Sequence, residues 1–487
     1  MIGHELLAGR SLYSDLCENK PPPIFLTYAA AERFFGYGPK AIYLLGVIAA
    51  IVTLLGVYIA GYTLSGSSGT GLWAAAFWAI ICSNLQLQAN QPNTEVFVNA
   101  CVIWAFALML RNDNRPWLWR YFIIGTLFAI ASIYKFTVLA VVMALIGVHL
   151  MSPPGDPSDR RLAFKQILVI AAIGGVAWAS VFLYFATVGH IKDFYEIVFI
   201  FNRYSAGNVI KNLEVGIVYF PYFLKYAVPL IYSICIASLL IGPKQLRRSW
   251  ILLMGLVIGT HIEAALPGKG FPHHYMYWLP IIAVTAAWTI EKLGTLTQQH
   301  GLKYVIGIIL LILMGWHEIP NYYISPEDWS REKYEDIIFV ESKKMGEEIP
   351  LILKTDETFY EWGAESNLYY YSKKSPPSGV MCYWHLFNWP YGLDLSERVV
   401  KDLENVQPEL FIIPEWLIEE SIRPNPVLDW FYPRYRPFSL KNSFILFARR
   451  GGKLESRLGK DGQLEENATL ARTQGNMVLN KIKAFNH

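Results

Sequence analysis

The sequence predicts a polytopic α-helical membrane protein with about ten spans and a small C-terminal α/β domain. Three observations point there. Apolar residues make up 53% of the 487 and charged ones only 17%, against roughly 25% charged in soluble domains. Nearly all of the apolar excess lies between Ala41 and Trp316, in blocks of about the length that crosses a hydrocarbon core. After Trp316 the charge returns to the density of a soluble domain.

Taken in order, the spans are read at 41–63, 71–89, 95–110, 119–134, 136–151, 166–188, 215–242, 250–266, 274–290 and 303–316. The stretch from Tyr121 to Met151 is too long for one upright helix and just enough for two. Basic residues decide the matter, because cytoplasmic loops hold the Lys/Arg excess. Splitting at Lys135 puts the basic loops Arg111–Arg120, Arg160–Lys165 and Lys244–Arg248 on one side; leaving the stretch whole does not. With that split, residues 1–40, the turn Asn90–Glu95, Lys135, the segment Gly189–Glu214, the loop Pro267–Tyr275 and everything after Trp316 share the outer face.

The domain plan that follows is a transmembrane part over 1–316, with a first outer loop at 1–40. An outer α/β domain follows over 317–450, and a disordered tail over 451–487. In the outer domain, strand-like runs (Leu351–Leu353, Leu410–Ile413, Ser443–Phe447) alternate with helical ones (Lys333–Met345, Ser396–Val406). The start of the chain carries charges and no apolar core of a signal peptide. A net charge of +3 gives no reason to expect nucleic acid. The five cysteines form no CxxC and read as small core residues.

Polar groups beside the apolar blocks carry the chemistry, since an ionisable group at membrane depth usually faces a cavity or a partner. Lys20 precedes Pro21-Pro22-Pro23, which holds the backbone extended; it is either a solvated lysine or a ligand for an anionic head group. Glu95 opens a span and reads either as a helix-start charge, with Asn93 or Thr94 as cap, or as a site carboxylate. Lys135 interrupts an apolar stretch and either snorkels to the interface or meets an anion. Lys269, His273, His274 and Tyr275 gather in one Gly-rich loop, and Lys with His can bind phosphate. Zinc is disfavoured there, because two adjacent His find no third ligand at helix spacing. Arg203 and Tyr204 lie in an amphipathic segment, Ile191–Tyr204, suited to the membrane interface. Together these basic clusters, with a carboxylate among them, read as a phosphate-lipid site on one face.

The order of motifs resembles a known family. Glu5-Leu6-Leu7-Ala8-Gly9-Arg10-Ser11-Leu12-Tyr13-Ser14-Asp15, followed by Glu18-Asn19-Lys20-Pro21-Pro22, resembles the first extracytoplasmic loop of GT-C glycosyltransferases. The nearest branch is the protein O-mannosyltransferase-like group (family 39 type) that includes the lipid A aminoarabinose transferase. Thr94-Glu95, Lys135, His274-Tyr275 and the Tyr-rich Asn367–Tyr371 follow in the family's order. The resemblance implies an inverting transfer of a sugar from a polyprenyl-phosphate carrier to a lipid, glycan or protein acceptor. It implies an integral protein of a bacterial plasma membrane, with the site and C-terminal domain on the extracytoplasmic side. Lys20, Lys135, Arg203, Lys269, His273, His274 and Tyr275 would hold the donor phosphate, and Glu95 would be an acidic residue near acceptor or phosphate. No cofactor is required by it, and a divalent metal stays open.

One departure matters. The family's base is an Asp farther upstream of the Leu-Leu-Ala-Gly stretch than the eight residues that precede Gly9 allow. The expectation is therefore a chain truncated at its N-terminus, with Asp15 as the remaining candidate base. Two other classes compete: a polyprenyl-phosphate-binding remnant without turnover, and a transporter or flippase. The transporter is disfavoured because only His261 and Glu263 sit within a span.

Overall fold

The computed structural model describes every residue except 90, 112–117, 156–158, 241–246, 300, 388–389, 419–422 and 462–487. Asn90, most of the basic loop 111–120, and 244–246 of the third basic loop therefore lie outside the described residues. The chain divides into two compact units. One comprises Lys20–Ile191 and Ala206–Ile324; the other comprises Met1–Asn19, Lys192–Ser205 and Ser325–His487.

The first unit is helical: α1 (Pro23–Phe35), α2 (Pro39–Ser65), α3 (Ser68–Ile81), α4 (Thr94–Leu110), α5 (Leu118–Tyr134), α6 (Leu139–Met151), α7 (Arg160–Thr187), α8 (Val209–Phe223), α9 (Val228–Leu240), α10 (Arg248–Ala265), α11 (Trp278–Leu296) and α12 (Leu302–Glu318). Local chemistry sets their ends. Pro39 starts α2, and Gly66 stops it at a φ of 76° that only glycine adopts freely. The Asp159 carboxylate accepts from the Arg161 and Leu162 amides at the head of α7. By length and composition α2, α7, the Pro272–Leu296 stretch and Leu302–Tyr322 can each cross a membrane. The bent pair α8–α9 makes a fifth if it counts as one span; its two halves meet at 60°. The remaining apolar helices α3 to α6 are shorter. A break does fall at Lys135: α5 ends at Tyr134, and a 3-10 turn, Phe136–Val138, leads into α6.

Small residues bring the helices into contact where side chains would hold them apart. Gly255 and Gly259 lie one turn apart on α10, and a Cβ at Gly259 would fall 2.6 Å from the Val141 Cα on α6. This close approach holds two helix ends, Glu263 on α10 and the Lys135 break before α6, in register.

The second unit is built on a four-stranded sheet of β1 (Phe359–Glu361), β2 (Leu410–Pro414), β3 (Tyr435–Lys441) and β4 (Phe444–Arg449), in the order β1-β2-β4-β3. β1 and β2 are parallel and the other pairs antiparallel. Two expected strands are β2 and β4. The run Leu351–Leu353 is not a strand: it closes helix α13 (Ile338–Ile352), and Leu351 is 86% exposed, so no sheet core claims it. The N-terminal residues join this unit through Cys17 N–H to the Gly379 carbonyl and Arg10 to the Pro376 carbonyl. The segment read as interfacial buries Phe194, Ile197, Val198 and Phe201 within this unit, with Phe194 against Tyr13 and Phe201 against His385. Its apolar face is covered by protein rather than lipid. The stretch from Gly451, read as a disordered tail, begins with a helix, Lys453–Asp461, that buries Leu454; residues 462–487 lie outside the described residues.

Two expectations follow for stability. Gly259→Val forces α6 and α10 apart and lowers stability by about 1–3 kcal/mol, read as a lower Tm in detergent. Gly147→Ala, where an added Cβ meets nothing within 4 Å, causes no loss and raises stability by about 0.4–1 kcal/mol through helix propensity. In the sheet unit Glu361 is 1% exposed. Burial first, and the Glu365 carboxyl second, push its pKa well above the ordinary carboxylate range. The folded chain thus holds this proton more tightly than the unfolded one, and the benefit is lost as pH rises above the unfolded value of about 4.3. Melting followed between pH 5 and 8 should show Glu361→Gln with a flatter decline than the parent; parallel curves would contradict this.

Candidate functional site

Five of the helix ends in the first unit carry polar side chains toward one another. Glu95 sits in the first turn of α4, where Asn93 is the N-cap but makes no side-chain capping bond among the described residues. The Glu95 carboxylate goes elsewhere. Its Oε1 accepts from Lys135 Nζ at 2.6 Å, with the two side chains 3% and 16% exposed. Lys135 can reach it because the backbone leaves the helix there, at φ −156° and ψ 112°. The lysine does not snorkel away; it turns inward and stands 5.5 Å over the Tyr277 ring.

The loop after α10 completes the cluster. Glu95, His273 and His274 each offer a ligand atom, and these atoms lie within 4.8 Å of one another. The two imidazoles meet edge to face at 4.7 Å, and Phe271 stacks on His273. His274 is buried, and its Nδ1 finds no hydrogen bond among the described residues. Asn99 on α4 donates to the Met276 carbonyl at 2.9 Å and so ties the loop to the helix that carries Glu95. The third ligand that sequence spacing did not supply thus comes from a distant helix. One carboxylate oxygen and two imidazole nitrogens form a donor set that suits a divalent ion such as zinc.

Glu263, near the end of α10, is 1% exposed and lies within electrostatic range of Lys135 and Glu95, with Tyr277 beside it. It shares a small cavity with Asn99, Thr260 and Tyr277. Sequence reading noted its depth but gave it no role, because its neighbours come from α4, from the break at Lys135 and from the start of α11. The helix α1 approaches the same end: Tyr28 donates to the Pro92 carbonyl, and Thr27 bonds to Tyr134.

The other expected residues fare differently. Lys20 is exposed at the approach to α1, in the same unit. Lys269 is exposed in its loop. The Tyr275 hydroxyl is occupied, donating to the Gly216 carbonyl at 3.3 Å. Gly268 and Gly270 make room for Asn212 and Tyr219 of α8 rather than for a ligand, with added Cβ atoms falling 2.4 and 2.7 Å from those side chains. Asp15 and Arg203 belong to the other unit and are exposed. The Asp15 carboxylate accepts from the Ser11 amide at 2.8 Å, as in a local turn.

The opposite helix ends hold a second buried polar network, which sequence reading took for loop charge. Arg248 donates to the Met109 carbonyl at 2.5 Å and the Ser152 carbonyl at 2.9 Å. Its Nη2 pairs with His149 Nδ1 at 2.9 Å, and His149 Nε2 with Gln166 at 2.8 Å. This network clamps the ends of α4, α6, α7 and α10 together.

Residues 19–185 match the family model described as dolichyl-phosphate-mannose-protein mannosyltransferase. No curated protein matches the chain. Among solved structures, ArnT from Cupriavidus metallidurans bound to undecaprenyl phosphate aligns at 11% identity over 92% of each chain, with a TM-score of 0.63. The same protein in the apo state aligns at 12% identity over 92% of this chain and 91% of that one, at 0.60. At that identity the likeness is one of fold. The resemblance read from the motifs is supported over residues 19–185 by the family model and across the chain by the fold of the solved structures. The chain is mostly helical, with four or five clear apolar spans and a small sheet region.

Breaking the buried ion pair from one side leaves an uncompensated charge. Glu95→Gln or Lys135→Met alone should each lower stability by about 3–5 kcal/mol, while the double variant should recover most of that loss. Thermal unfolding of the four chains checks this; additive losses would mean that the two groups do not depend on each other.

Proposed function

We propose that the protein is a membrane glycosyltransferase that moves a sugar from a polyprenyl-phosphate donor to an acceptor on the extracytoplasmic face. The observation that carries it is the convergence of Glu95, Lys135, His273 and His274 at one end of the helical unit, in a chain with the fold of a protein solved with undecaprenyl phosphate. The exposed basic residues Arg160, Arg161, Lys165 and Arg247 lie toward the other helix ends. By the positive-inside rule that end is cytoplasmic, so the cluster faces outward. In this reading the shorter helices α3 to α6 and the helix α10 also cross, giving about ten spans in the plasma membrane of a bacterium. The sheet-bearing unit lies outside.

The chemistry follows from the charges. The acceptor hydroxyl attacks the anomeric carbon of the sugar, and its proton passes to the departing lipid phosphate. The bond from that carbon to the phosphate oxygen breaks, and the lipid phosphate departs with the electron pair. Lys135 supplies positive charge to the phosphate as it gains charge, and the neutral imidazoles of His273 and His274 supply hydrogen-bond donors when no metal occupies them. Lys20, at the approach to α1, would hold the same phosphate from the edge. Lys269 and Arg203 are further phosphate candidates by charge. Tyr275 supports the loop through its bond to Gly216. A divalent ion held by Glu95, His273 and His274 would supply Lewis-acid stabilisation of the phosphate oxygens. Asp15, which the motif order offers as a base, is exposed and has one carboxylate oxygen accepting from the Ser11 amide.

The test uses purified full-length chain in detergent, with undecaprenyl phosphate and undecaprenol as paired probes. The phosphate should bind at least about tenfold tighter than the alcohol, and Lys20→Ala or Lys135→Met should each erase about tenfold of that preference, the scale of one charge-assisted contact. Proteoliposomes given a panel of polyprenyl-phosphate sugars should then release polyprenyl phosphate when an acceptor is present. Equal affinity for the alcohol and the phosphate would sink the reading.

A further inference from the structure

Two cations are set to claim one carboxylate. Glu95 Oε1 is taken by the Lys135 ammonium at 2.6 Å. The same side chain stands with His273 and His274 in a donor set whose ligand atoms all lie within 4.8 Å. An ammonium and a divalent ion on that one carboxylate repel each other strongly at this separation, in a poorly solvated site, so each weakens the hold of the other. The groups that face Lys135 are Glu95 on α4, Glu263 on α10, and Tyr277, His273 and His274 of the loop and α11.

We propose that Lys135 is a switch between two anions: it neutralises Glu95 while the Glu95–His273–His274 set is empty, and a divalent cation seated there displaces it toward the phosphate of the lipid donor. The inference rests on the phosphate-binding role given to this end of the helices, and adds that metal and phosphate bind cooperatively.

The geometry gives the lysine freedom to move. Its backbone is in an extended break, not inside a helix, so its side chain is not confined to one helical face. It retains 16% exposure, and the Tyr277 ring beneath its ammonium offers a cation–π resting place that survives loss of the carboxylate. Glu95 gains no such freedom. Buried in the first turn of α4, it must be neutralised at all times by one cation or the other. A structural ion pair would need neither the nearby imidazoles nor the buried Nδ1 of His274 that lacks a hydrogen bond among the described residues.

Linkage makes the idea measurable, since whatever factor zinc adds to phosphate affinity, phosphate must add to zinc affinity. The experiment titrates the full-length chain in detergent with dodecyl phosphate, with saturating Zn²⁺ or with EDTA, and with Zn²⁺ at zero or saturating dodecyl phosphate. Each ligand should tighten the other by about tenfold, within the usual range of allosteric coupling. In Lys135→Met zinc should bind more tightly than in the parent, the competitor being gone, and the coupling factor should fall to one. Lys135→Arg keeps Glu95 neutralised should the Met variant fail to fold; its forked pairing with the carboxylate should weaken zinc relative to the parent.

Coupling that persists in Lys135→Met would mean that phosphate binds the metal directly, and would overturn the switch. So would independent binding of the two ligands in the parent, or zinc affinity unmoved by both substitutions. If Lys135→Met leaves phosphate affinity unchanged with zinc and with EDTA alike, the phosphate role of this end falls as well; in the preceding outcomes that role stands.

Discussion

A carboxylate buried at the start of a helix, neutralised by a lysine at the break between two others, is the constraint around which the helical unit is organised. Left alone, either charge would cost several kcal/mol. Paired at 2.6 Å they pin the first turn of α4 to the end of α5. The break at Lys135 is then not a defect in a long apolar segment: a lysine inside a continuous helix would be fixed to one face, whereas the extended backbone lets it turn toward Glu95. The close crossing of α6 and α10 at Gly255 and Gly259 does the rest, bringing Glu263 to the same place.

Both ends of the bundle bury charge, but they use it differently. At one end Arg248 is saturated, with two carbonyls and an imidazole taking its donors, and His149 passes the connection on to Gln166. Such a network ties helix ends together through buried hydrogen bonds. At the other end His274 and Glu263 keep buried polar atoms without hydrogen bonds among the described residues.

The sequence made the spans legible because apolar runs are long-range patterns that need no knowledge of contacts. The break at Lys135 was legible for the same reason, through the balance of Lys and Arg among loops. Glu95 and the His pair could be named as polar groups beside spans, but not as one donor set, since the carboxylate and the imidazoles come from elements far apart in the chain. Asp15 and Arg203 were named from short motifs and charge; the chain folds both into the sheet-bearing unit, where the Asp15 carboxylate accepts from the Ser11 amide. Arg120 and Arg248 read as loop charges because burial of a basic residue at a helix end leaves no trace in spacing. The strand at Leu351–Leu353 failed because three apolar residues after a helix cannot be told from a strand without knowing that Leu351 faces outward.

The charge balance of the site end carries a last consequence. With Glu95, Glu263 and Lys135 together, it holds more potential negative charge than positive, which is a poor starting point for an anionic lipid. An anion site could have been built from arginines, as in the clamp at the other end, and it would then hold phosphate permanently. A single lysine already engaged by a carboxylate makes a weaker site, whose strength depends on what else occupies the carboxylate. For the proposed enzyme, which would release a lipid phosphate after every turnover, a cation held back by its own protein is better suited than one that is always free: tight binding of the leaving phosphate would lower the barrier to chemistry and then raise the barrier to release.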